Sequence, residues 1–302
     1  MNSKSLMIGI VIMSVLIVAG CATNTPKENN KLKVIASFYP MYDFAKNVGG
    51  DRVEVKSLIP MGVEPHDYEP TPQDIKDLST AKLFILNGVI ESSWAPRLLA
   101  GVDNKDLIVL DTSKNISLVG SQDADMPGND PHIWLDPILA KKQVASIRDA
   151  FMQADPAGKD HYEHTAEIFM QKLDSLDAEF RATFATCQKK DILITHATLA
   201  YFCKEYGCNQ VFVEGVNAEG DPSPAVLVEI IKQAKEKNIT TVFVENLMNP
   251  KSAKTLADEL HGKVAIFNSV HGLTAEEQQR GEDYISQMQK NVGIIKTSLD
   301  CK

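Results

Sequence analysis

The chain has 302 residues, 44% hydrophobic and 24% charged. That balance builds a full buried core, and it excludes both intrinsic disorder and a small disulfide or zinc scaffold. Acidic residues outnumber basic ones 40 to 31, a formal net charge of −9, which is not the basic face of a nucleic-acid binder and suits a protein that meets cations.

Lys4 precedes an uncharged apolar run over residues 6–18. The run falls short of the ~20 residues of a membrane-spanning helix and has the length of a secretory h-region. It ends Val18-Ala19-Gly20-Cys21, small residues set against a cysteine as in a bacterial lipobox. A lipoprotein signal peptide over 1–20 and a lipid anchor on Cys21 are therefore expected; a generic signal with an incidental Cys21 is the alternative. Residues 21–31 are polar and aperiodic, a flexible tether.

Over 32–154, short β-rich runs (33–36, 53–58, 83–86, 107–110) alternate with helical patterns (42–48, 71–79, 94–100, 137–153). The segment 112–130 within this half carries Asp123, Asp125 and Asp130 without the glycine and glutamate of an EF-hand, and reads as a solvated loop. Residues 155–187 carry Tyr162, Ile168, Phe169, Leu173, Leu176, Phe180 and Phe184 at helical spacing, with no Gly or Pro after Gly158. One helix of about 28 residues, ~42 Å long, is predicted from Asp155-Pro156 onward. Over 188–302 the alternation resumes: strands 191–195, 210–213, 241–244 and 264–267, helices 198–206, 224–237, 250–260 and 282–299. The predicted fold class is α/β, two parallel-sheet lobes bridged by one long α-helix. No fixed-period repeat is visible.

Beyond Cys21 stand Cys187, Cys203, Cys208 and Cys301. Four cysteines allow three full pairings, among which sequence does not choose; a thiolate metal site is the weaker alternative because no C-x-x-C occurs.

Four of the seven histidines occupy comparable places. His66 follows the second strand, His132 precedes a helix, His196 ends a strand, and His271 follows the last strand. Open α/β sheets bind ligands beyond the carboxyl ends of their strands. Two histidines come from each lobe, so an interlobe cleft gathers all four. Four imidazoles suit tetrahedral Zn²⁺, whereas Mn²⁺ favours carboxylate oxygen. A single such histidine is most often a capped loop or satisfied core group; four at strand ends are not. Glu64 sits beside the metal or on the surface. Asp136 and Glu245 are candidates to orient ligand imidazoles, with helix capping and lobe packing as their alternatives. Trp134 walls the cleft or fills core. His161 and His164 lie i, i+3 on the long helix without a third ligand and read as an exposed face; His261 has no site role.

The loops G-x-x-x-H-D-Y-E-P-T-P from Gly62, D-P-H-I-W-L-D-P from Asp130 and T-H-A-T-L-A-Y-F from Thr195 resemble the metal-ligand loops of cluster A-I solute-binding proteins. These are the zinc- and manganese-binding components of bacterial and archaeal ABC importers. The resemblance runs on through Phe243-Val244-Glu245-Asn246 to Tyr284, Met288 and Asn291. It implies two lobes on one long helix, with His66, His132 and His196 matching the first three ligands. Histidine at the third position resembles zinc members; manganese members often have glutamate there. Many relatives place a carboxylate fourth, in a loop such as N-P-L-E-G-L-T. Here that loop reads Asn268-Ser269-Val270-His271-Gly272-Leu273-Thr274, so His271 takes the position, or a nearby carboxylate or water does. The histidine-rich stretch of some zinc members is absent from 112–130. The implied function is a monomeric, extracytoplasmic, periplasmic or cell-surface zinc receptor. It delivers Zn²⁺ to an ABC permease and its cytoplasmic ATPase, and it is not an enzyme. Alternatives are a manganese receptor, a surface adhesin on the same scaffold, and a zinc hydrolase. The hydrolase needs an open water position, and no H-E-x-x-H or nucleophile elbow is present.

Overall fold

The computed structural model describes residues 31–121, 128–215 and 222–302. The expected signal peptide, Cys21, the tether through residue 30, and Asp123 and Asp125 lie outside these residues.

The N-terminal lobe holds β1 (Leu32–Ala36), α1 (Tyr39–Gly49), β2 (Val53–Ser57), α2 (Pro72–Thr80), β3 (Leu83–Leu86), α3 (Ala95–Ala100), β4 (Ile108–Asp111) and α4 (Pro137–Ala154). The spine α5 (Lys159–Thr186) follows. The C-terminal lobe holds β5 (Asp191–His196), α6 (Ala200–Tyr206), β6 (Asn209–Glu214), α7 (Pro224–Glu236), β7 (Thr241–Glu245), α8 (Lys251–Glu259), β8 (Lys263–Phe267), α9 (Ala275–Gln279) and α10 (Tyr284–Ser298). Each lobe contains a four-stranded parallel sheet, ordered β2-β1-β3-β4 and β6-β5-β7-β8. The two lobes therefore repeat one strand order that no sequence period betrays. β3 and β7 are buried along their whole length, as strands covered on both faces must be.

Where the elements differ from the sequence expectation, local chemistry explains the difference. α1 starts at Tyr39, three residues before the expected 42, because Pro40 fits a helix's first turn, where its missing N–H costs nothing. α9 lies outside the expected helices; Thr274 and Glu277 form a reciprocal capping box that nucleates it. Asp155-Pro156 lead into a 3₁₀ turn, Pro156–Gly158, and the spine proper begins at Lys159 and runs 28 residues.

One face of α5 (Tyr162, Ala166, Phe169, Leu173, Leu176, Phe180, Phe184) is buried, while Ile168, expected on that face, is 43% exposed. Phe169 meets Phe44 of α1 at 5.7 Å between ring centroids; Phe180 meets Phe202 of α6 at 4.9 Å, and Phe184 stacks on Tyr206. One continuous core thus runs from β1 through α5 to α10, fastening both lobes to the spine. A smaller core (Val211, Ala234, Val242, Leu256) covers the other face of the C-terminal sheet. Two disulfides resolve the cysteine pairing, Cys187–Cys301 at the end of α5 and Cys203–Cys208 around the end of α6.

Candidate metal centre

His66 lies in a 3₁₀ turn, Pro65–Asp67, after β2, and His132 opens the turn Ile133–Leu135 that leads into α4. His196 is the last residue of β5; His271 sits in the loop between β8 and α9. These four turns bring the imidazoles together. Every pair of ring centroids is 5.1–5.9 Å apart, and six nearly equal separations describe a tetrahedron. His132, His196 and His271 are buried; His66 alone retains some exposure.

Ligand atoms of His66, His132 and His271 lie within 4.8 Å of one another. The Nε2 atoms of these three are buried and have no hydrogen-bond partner, an arrangement that is costly unless something else occupies their lone pairs. The Nδ1 atoms of His132, His196 and His271 are engaged. His132 Nδ1 faces Asp130 Oδ1 at 2.9 Å, His196 Nδ1 faces Glu245 Oε1 at 2.8 Å, and His271 Nδ1 faces Glu245 Oε2 at 3.0 Å and Ser269 Oγ at 2.9 Å. Nδ1–H donation to a carboxylate fixes the tautomer with its lone pair on Nε2. Glu245 does this for two rings with one carboxylate. Burial raises its pKa, yet His196 and His271 hold it well below the ordinary glutamate range, so it is ionised. Burial pushes His132 down to about 4 against the pull of Asp130, and it carries His66 well below its ordinary value. Both rings are neutral at pH 7, as ligation requires.

Of the two residues expected to orient imidazoles, Glu245 meets two of the rings, those of His196 and His271. Asp136 instead caps α4, its Oδ1 accepting from the N–H groups of Ile138 (2.8 Å) and Leu139 (3.3 Å). A carboxylate directly before a proline-started helix meets free N–H groups first. Glu64 accepts weakly from His66 N (3.5 Å) through Oε1, and its Oε2 is buried 3.8 Å from His271 Nδ1 without a hydrogen bond. Trp134 is both core and cleft wall, fully buried with its ring 5.1 Å from that of His271 and 5.3 Å from that of His132.

Asp130 corrects the reading of 112–130 as a solvated loop. It is fully buried, as is Thr112, while Ile116 is mostly buried and Lys114, Asn115 and Ser117 face solvent; Asp130 accepts from both the backbone and the ring of His132. The signal available was the D-P-H spacing, which lets one carboxylate close a turn and meet the imbedded ring two residues on. His164 is exposed as expected, but the half-buried His161 is not a free surface group: its Nε2 meets Gly49 O at 3.0 Å, tying the spine to α1. The His271 loop rests on a polar network from α9 and α10, in which Asn291 pairs both backbone groups of Asn268 (2.9 and 2.8 Å) and Glu277 and Gln287 accept from its amide.

Two like-ordered α/β lobes fixed to one long helix, with a buried imidazole cluster between them, are the architecture of a two-lobed metal receptor. The chain matches the family described as "Zinc-uptake complex component A periplasmic" over residues 34–298, and it belongs to that family. It is 35% identical to the high-affinity zinc uptake system protein ZnuA of Bacillus subtilis over 306 residues, covering 96% of both chains. It is 30% identical to the zinc-binding lipoprotein AdcA of Streptococcus pneumoniae over 98% of its own length, but spans only 61% of that protein. The Zn(II)-bound AdcA crystal structure superposes with a TM-score of 0.79 at 33% identity, over 90% of this chain and 58% of that one. The laminin-binding protein Lmb of Streptococcus agalactiae, described as bifunctional with adhesin and metal-transporting activity, gives 0.80 at 29% identity over 89% and 99% of the two chains.

Proposed function

We propose that this chain is the extracytoplasmic receptor of an ABC importer and that Zn²⁺ is its cargo. The observation that carries the reading is the tetrahedral set of imidazoles with buried, unpartnered Nε2 atoms on His66, His132 and His271. In this reading those three and His196 are the ligands. Asp130 and Glu245 orient the rings, and their two negative charges offset the two positive charges of the ion. An all-nitrogen shell favours zinc over manganese. A shell closed by four protein ligands leaves no position for an attacking water, which favours transport over hydrolysis. The ion exchanges its water for imidazole between the lobes and is given up when the receptor docks on the permease that the cytoplasmic ATPase drives. The adhesin reading, which the likeness to Lmb supports, adds a second role to this one and does not replace it.

Metal analysis of protein purified without chelator, followed by zinc–manganese competition, tests the assignment. One zinc per chain and displacement of Mn²⁺ by Zn²⁺ are expected; tighter Mn²⁺ binding refutes it. We assign Cys21 as the site of a lipid anchor holding a monomeric receptor at the membrane. A Cys21→Ser chain expressed in a lipoprotein-processing host then moves from the membrane to the soluble fraction, and retention at the membrane overturns the anchor.

A further inference from the structure

Val270, the residue before His271, has φ = +58° and is fully buried. A β-branched residue in the left-handed region is a true outlier, because its side chain collides with its own backbone there. Such a conformation persists only where its surroundings over-determine it, and it concentrates at functional sites. The surroundings here are specific. Val270 N donates to Asn268 Oδ1 at 2.8 Å, and Asn291 of α10 holds the backbone of Asn268 from both sides. On the remaining flank, Trp134 Nε1 donates to Ser269 O at 2.8 Å. Trp134 belongs to the N-terminal lobe and lies two residues after His132, so this bond crosses the cleft and links the turn carrying one candidate ligand to the loop carrying another.

From this geometry, and resting on the zinc reading above, we infer that Val270 is a strained positioning residue and the Trp134–Ser269 bond its catch. The strain biases the loop toward withdrawing His271, and the bond between lobes holds His271 in ligand position. Any movement that separates Trp134 from Ser269 releases the loop, so His271 is the ligand that leaves first. Loss of one lobe-to-lobe hydrogen bond is thereby coupled to opening of the metal shell. A ligand held in a conformation with a relaxed alternative lowers apparent affinity by the fraction of protein in that alternative.

The test compares zinc release rates into excess chelator for Val270→Gly and Val270→Ala. Both variants remove the buried side chain, but only glycine adopts φ > 0 without steric cost. Val270→Gly should release zinc about tenfold more slowly than Val270→Ala, the change that ~1.4 kcal/mol represents. Trp134→Phe, which keeps a ring but removes the donor, should speed release about tenfold in the Val270 protein and less than about twofold in the Val270→Gly protein. Melting of the metal-free variants separates lost packing from altered release. Equal rates for Gly and Ala, or additive effects of Trp134→Phe in the two backgrounds, overturn the inference while the zinc site stands. A wild-type chain that takes up no zinc overturns the receptor reading and this inference together.

Discussion

Glu245 and His271 are the residues on which the chemistry of the centre turns. A family resemblance points to a carboxylate at the fourth position, and in the proposed site a histidine there would change the ion's surroundings from mixed oxygen and nitrogen to nitrogen alone. In that proposed site Glu245 would orient the histidine for ligation, since its second oxygen meets Nδ1 of His271 while the first meets that of His196. Losing the His271 ligand should weaken zinc binding at least by the ~10–100-fold typical of residues that only orient ligands. His271→Ala measured by chelator competition checks this; affinity within about twofold of wild type, far below the tenfold of 1.4 kcal/mol, would assign the fourth ligand elsewhere. His271→Glu should keep zinc and raise the relative affinity for Mn²⁺, because a hard oxygen replaces a borderline nitrogen. Glu245→Gln can accept from only one of the two rings and turns an N–H toward the other. A loss of about 10–100-fold in zinc affinity with an unchanged circular dichroism spectrum is expected.

At the level of elements, α5 and the chain end form one unit. The Cys187–Cys301 disulfide closes a loop of 114 residues and fastens the segment after α10 to the end of the spine. Lys189 N also donates to Leu299 O at 3.2 Å across the same junction. Long loops gain most from cross-linking because the unfolded chain loses most freedom. Replacing both cysteines by serine should cost about 2–5 kcal/mol in denaturant unfolding. Zinc affinity should hold, because the junction contributes none of the candidate ligands. A stability change below about 0.5 kcal/mol, the ordinary size of a surface substitution, would show that packing of α10 on α5 suffices alone.

The whole molecule contains a buried carboxylate where α1 meets the start of α10. Burial, with Asp283 nearby, pushes Asp43 up to about 7. Its side chain accepts from Tyr39 Oη at 3.3 Å and Asn47 Nδ2 at 3.0 Å. With the folded pKa raised, the native state keeps a proton that the unfolded chain gives up above ~3.9. The stabilising contribution is complete below about 3.9 and is lost as pH rises through about 7. Asp43→Asn should therefore gain about 2–3 kcal/mol relative to wild type between pH 5 and pH 8, read from urea unfolding of the metal-free proteins. A difference that is constant with pH, or that shrinks toward pH 8, contradicts the assignment.

Much of this protein is written locally, and what is local is legible. Strand runs such as 83–86, proline-started helices and the periodic face of α5 follow from side-chain period and backbone chemistry, which neighbours in sequence carry. The four histidines are legible for the same reason, since His196 ends a strand-like run, His66 and His271 lie in loops that follow one, and His132 opens the turn into a helix, and sheets of this class gather ligands on that side. Burial and pairing between distant segments are decided only by the tertiary structure. Asp130 has the surface signature of an acidic loop and became a buried partner of His132 because β4 and α4 carry it under the cleft. Asp136 and Glu245 are alike as candidates in sequence; one caps a helix and the other holds two rings because only Glu245 ends a strand facing both. The cysteine pairing, the common strand order of the two lobes and the left-handed backbone of Val270 are set by which elements meet, through contacts that no stretch of sequence contains by itself.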